Sequence, residues 1–66
     1  TATLTDRQES ILRSVMDGLS NADIARQQGL AEITVKNHLS AIFNKLGVAN
    51  RSEAVAIALK KHLLKI

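Results

Sequence analysis

The stretch NADIARQQGLAEITVKNHLS, residues 21–40, decides the fold. Its opening places Ile24 and Ala25 on one side of a short helix running from about Asn21 to Gln27. Gly29 interrupts that helix and Leu30 follows as an apolar anchor. Helical periodicity resumes at about Glu32 and continues to Leu46, where Gly47 stops it. A short helix, a glycine-containing turn at about Gln28 to Ala31 and a longer helix form a helix-turn-helix unit, in which two helices meet at a steep angle. The residue types answer to that geometry. Ala25 is small where the helices press closest, Gly29 supplies the bend, and Leu30 and Val35 plug the crevice between them.

Outward from this unit the remaining chain also reads as helix. Upstream, Thr5-Asp6-Arg7-Gln8 is a capping box, followed by an apolar stripe of Ile11, Leu12, Val15 and Met16 that ends at Gly18. Ser20 caps the next helix, with Asp23 near its positive end. Downstream, Val48 is expected to pack back onto the core, and Asn50-Arg51-Ser52-Glu53 resembles a second capping box. It opens a fourth helix expected to reach His62 or beyond. No strand pattern, repeat or low-complexity stretch interrupts the series. The expected fold is all-α: one four-helix domain over residues 1–66 with a central helix-turn-helix.

Size and composition narrow the function classes. A domain of about 66 residues buries only about 60% of the surface its unfolded chain exposes, so its stability is modest. The absence of cysteine removes disulfides and thiolate metal sites, and fits a reducing, cytoplasmic setting. No apolar run approaches the roughly 20 residues that span a bilayer, so no membrane partner is expected. The chain opens on Thr1-Ala2-Thr3 without a Met, from which we expect a piece of a longer protein. Net charge is +3, unevenly spread. From Ile33 onward six basic residues (Lys36, Lys45, Arg51, Lys60, Lys61, Lys65) oppose the single acid Glu53, whereas three arginines face five acids before it. That asymmetry fits a polyanionic partner for the second half, although a solvated basic face reads the same on charge alone.

The third helix makes the partner more definite. At about 100° per residue, Val35, Leu39, Ile42, Phe43 and Leu46 share a core face, while Ile33, Asn37, Ser40, Ala41 and Asn44 lie opposite, with Lys36 on the shoulder. The outer face carries no acid. A helix entering the major groove needs short or neutral side chains for close approach and a few long donors for base edges. Lys36 suits guanine O6 and N7, Asn37 pairs with adenine, and Ile33 and Ala41 meet thymine methyls; Ser40 completes the expected base contacts. Thr34, His38 and Lys45 on the other shoulder suit phosphate oxygens. Ser20, Asn21 and Arg51 are expected to join them, Arg51 having first-turn packing as an equal alternative. Phe43, the sole aromatic, belongs to the core stripe, which leaves none for stacking single-stranded bases.

Leu19-Ser20-Asn21, Ile24-Ala25, Thr34-Val35-Lys36-Asn37-His38, and Lys45-Leu46-Gly47-Val48 with Asn50-Arg51 together resemble the LuxR-type domain. That domain is the DNA-binding output module of quorum-sensing regulators and of NarL/FixJ response regulators. The resemblance covers Leu4 to about Leu59. It implies four helices, of which the third reads the major groove and the fourth dimerises, together with an upstream regulatory domain. Four positions depart from the family pattern: Gln8 and Asp23 stand where Glu is usual, Gln28 where Leu is common, and Ala31 where Ser caps the reading helix. Ala31 lacks a capping oxygen, which should weaken that helix end by about 0.5–2 kcal/mol. Gln28 should loosen packing at the turn.

In the fourth helix Val55, Ala58, Leu59, His62 and Ile66 are expected inward. Ile57 and Leu64 then fall on the opposite side near Ala56 and Lys60, and these four are the expected dimer surface. The expected partners are thus an inverted-repeat operator in double-stranded DNA, a second copy of the chain, and RNA polymerase. Two other readings stay open: a sigma-factor-like helix-turn-helix domain, and a helical protein-interaction module whose basic face meets acidic protein. No cofactor, metal or enzymatic role is expected. His38 and His62 lack ligand spacing, and Asp6, Glu9, Asp17 and Asp23 do not form an acid–base pair.

Overall fold

The structure, a computed structural model, describes residues 4–60. It holds four helices, α1 (Asp6–Met16), α2 (Asn21–Gln28), α3 (Glu32–Leu46) and α4 (Arg51–Lys60), and no strand among the described residues. The helix-turn-helix lies where the sequence places it, with α2 one residue longer than expected, so the turn shortens to Gly29–Ala31. α2 packs mainly on α3, and α1 lies across α3 and α4.

Helix starts are fixed by side chains. The Thr5 hydroxyl accepts the Gln8 N–H at 3.1 Å while Gln8 Oε1 accepts the Thr5 N–H at 3.0 Å, so Gln8 fills the box as a glutamate would. Ser20 and Asp23 repeat the arrangement at α2. At α4 the expected box is offset: Asn50 Oδ1 accepts the Glu53 N–H, but Glu53 reaches back to the Ala49 N–H rather than that of Asn50. Ala31 caps α3 with extended backbone and no side-chain bond, as its missing oxygen requires.

Helix ends share one device. Gly29 sits in the left-handed region at φ 68°, which turns the chain so that the Leu30 N–H donates to the Ala25 carbonyl at 2.9 Å. The same bond closes α1 (Leu19 to Ser14) and α3 (Val48 to Phe43). Each time an apolar residue follows the glycine, and Leu19, Leu30 and Val48 all pack against the core.

The core comprises Ile11, Leu12, Val15, Ile24, Ala25, Val35, Leu39, Ile42, Ala54 and Ala58, with Met16, Phe43 and Leu46 packed against it. α4 departs from expectation. Its buried positions are Ala54 and Ala58, with Val55 half-buried, while Leu59 is 45% exposed. Small residues one turn apart let the α4 backbone approach its neighbours closely, which rotates Leu59 out to solvent. His62, Leu64 and Ile66 lie outside the described residues. The α1–α2 contact is partly polar. Gln28 Nε2 donates to Ser10 Oγ at 2.9 Å, and the Ser14 hydroxyl donates to Gln27 Oε1 at 3.1 Å. Hydrogen bonding thus stands where an apolar residue at position 28 would pack.

Candidate nucleic-acid interface

α3 presents its two faces as the periodicity predicts. Val35, Leu39 and Ile42 are buried, whereas Ile33, Lys36, Asn37, Ser40, Ala41 and Asn44 are all exposed. Ile33 is 62% exposed, a large apolar side chain held in water at the first turn of the helix. Thr34 and His38 are half-buried on the shoulder. Glu32 is the only acid of α3 and stays in its first turn.

Elements distant in sequence complete this surface. Asn21, Lys36, Leu39, Ser40, Phe43 and Arg51 line one open depression where the start of α2, the shoulder of α3 and the start of α4 converge. Four of the predicted contact residues, Asn21, Lys36, Ser40 and Arg51, are therefore neighbours. Arg51 is half-buried and its guanidinium donates to Asn21 Oδ1 at 2.8 Å and to the Leu19 carbonyl at 2.6 Å. Lys45, on the opposite shoulder, donates to Gln8 Oε1 at 2.8 Å, so the residue that caps α1 also ties α1 to α3. Both bonds join residues 30 or more positions apart, and periodicity carries no signal for them.

At the α2 start, hydrogen bonding with the Ser20 side chain, then with its backbone N–H, holds the Asp23 carboxyl below its ordinary value of 3.8; the Arg26 charge adds to this. Asp23 is thus ionised at neutral pH, and its exposed ion pair with Arg26 partly offsets a negative charge beside a positive helix end.

On the far side of α4, Val48, Glu53, Ala56, Ile57 and Lys60 line a shallow, mostly apolar depression. Ala56, Ile57 and Lys60 were expected together there. Val48 and Glu53 join them, Val48 through the part of its side chain that the core leaves uncovered and Glu53 beside its capping bond. Leu64 lies outside the described residues.

The profile of the family described as "Bacterial regulatory proteins, luxR family" matches residues 2–58. The chain belongs to that family. Its luxR-family fold is the DNA-binding helix-turn-helix domain of transcriptional regulators. Over 63 residues it is 43% identical to the transcriptional regulatory protein YdfI of Bacillus subtilis, covering 96% of this chain but 30% of that protein. The solved transcription factor GerE superposes with a TM-score of 0.86 at 37% identity, covering 94% of this chain and 92% of that one. The response regulator ChrA of a heme-sensing two-component system gives 0.91 at 39% identity over 97% of this chain and 32% of that one. The luxR-family domain thus spans less than a third of YdfI and about a third of ChrA. Among the described residues, no helix is long and apolar enough to cross a membrane.

Proposed function

We propose that this domain reads a specific double-stranded DNA sequence with α3 in the major groove, as the output module of a longer bacterial regulator that binds an inverted-repeat operator as a homodimer and acts on RNA polymerase. The single observation that carries this reading is the α3 outer face. It is exposed at every one of these positions, free of acid beyond its first turn, and furnished with Lys36, Asn37 and Ser40 among the small or apolar Ile33 and Ala41. Those types match base-edge donors and thymine methyls, whereas an acidic protein partner would be met by several long basic side chains, of which this face carries only Lys36. Ser20, Asn21, Thr34, His38 and Lys45 flank the face and serve the backbone.

Pairing is assigned to the depression of Val48, Glu53, Ala56, Ile57 and Lys60 on α4. So small a patch falls short of the 1,200 Å² or more of a stable interface, so operator DNA completes the dimer by holding two domains at high effective concentration. Selection of duplexes from a random pool tests the whole reading. The expected product is an inverted repeat whose half-site centres lie about one helical turn apart. Ile57→Asp should then abolish cooperativity on the paired site and leave half-site affinity unchanged. Failure to enrich any duplex would reject the reading in favour of a protein partner.

A further inference from the structure

We propose that Arg51 is a positioning residue of the DNA interface: it fixes the Asn21 carboxamide so that the Asn21 N–H₂ group meets a backbone phosphate, and it makes no phosphate contact itself. This rests on the domain being a duplex binder. The geometry is restrictive. A guanidinium has donors only, so its bond to Asn21 must use Oδ1, as it does at 2.8 Å. A carboxamide with its oxygen so engaged has its two N–H donors turned the other way, and the Asn21 side chain has no other hydrogen bond among the described residues. Asn21 is the first residue of α2, where unpaired backbone N–H groups and the helix dipole already favour an anion.

The second Arg51 bond makes the orientation rigid. The Leu19 carbonyl accepts from the other terminal nitrogen at 2.6 Å, so one planar fork grips the chain on both sides of the Ser20 cap. Lys offers a point charge without the fork and does not reproduce that grip. Arg51 is also the first residue of α4. The helix assigned to pairing is therefore tied to the helix end assigned to phosphate.

Binding of the 66-residue chain to random-sequence duplex across a salt series tests the assignment, with Arg51→Gln, Arg51→Lys, Asn21→Ala and the double variant Arg51→Gln/Asn21→Ala. We expect Arg51→Gln and Arg51→Lys each to weaken binding about five- to tenfold with the salt slope of the unaltered chain. On the Asn21→Ala background Arg51→Gln should cost nothing further. A slope flattened by about 0.9, or unaltered affinity in Arg51→Lys, would make Arg51 a direct phosphate contact and overturn the proposal. Strictly additive losses would overturn it too. If Arg51→Gln melts below the assay temperature, the charge-preserving Arg51→Lys decides by the same criteria. An unaltered chain with no salt-dependent duplex affinity would instead reject the proposed function, a result distinct from the others.

Discussion

α3 and α4 lie side by side in one small core, yet the faces of the first are plain in the sequence and those of the second only in part. In α3 the buried positions Val35, Leu39 and Ile42 are large and apolar, and the outer positions are mostly polar, so the 3.6-residue period is plain. In α4 the contrast is inverted. The buried positions are alanines, and the large apolar residues Val55, Ile57 and Leu59 stand half-buried or exposed around them. Size and burial are decoupled there because the positions turned to the core hold alanines, the side chains that permit a close helix approach, and the large residues fall to either side of them. Periodicity of the largest apolar residues therefore points Leu59 inward, whereas the structure buries Ala54 in its place.

The largest expected effect that sharpens this comparison lies in α3. Ile42→Ala should cost about 2–5 kcal/mol, a large part of the roughly 3–10 kcal/mol that a domain of this size holds, and urea unfolding would show it as a lowered midpoint. Next comes α4, where addition should hurt more than removal. Ala58→Leu forces extra volume into a closed contact and should cost about 1–3 kcal/mol, readable as a fall in melting temperature. If Ala58→Leu were neutral, α4 would not approach its neighbours closely and the comparison would break.

At the α3 start, Ala31→Ser should restore a capping acceptor and add about 0.5–2 kcal/mol. A thermal scan showing no gain would mean that the α3 N–H groups are already satisfied. The smallest effect should be that of Leu59→Ala, within about 0.5 kcal/mol, because the side chain stands in solvent. A loss of the size expected for Ile42→Ala would restore Leu59 to the core.

The same contrast governs how much of the site could be read in advance. Ile33, Lys36, Asn37, Ser40 and Ala41 follow from one helix and one period, and all five are exposed as expected. Gly29, Thr5 with Gln8, and Ser20 with Asp23 follow from local turn and cap chemistry, which acts over three or four residues. Asn50 with Glu53 succeeded only in part, since a long glutamate chain can reach the next N–H along. What stayed hidden is tertiary. The Arg51–Asn21 and Lys45–Gln8 bonds depend on where helices cross, and a basic residue on a basic surface looks the same whether its donors serve a phosphate or a neighbouring amide.

The claim on which the rest depends is that the outer face of α3 reads bases. It is tested most directly by measuring Lys36→Ala and Asn37→Ala against a library of single-base changes in the selected duplex. Each variant should lose about 1–3 kcal/mol of discrimination at one or two definite base pairs and keep the parent's preference elsewhere. Uniform weakening across every sequence in the library would mean that these side chains hold only the backbone, and that α3 does not read the groove.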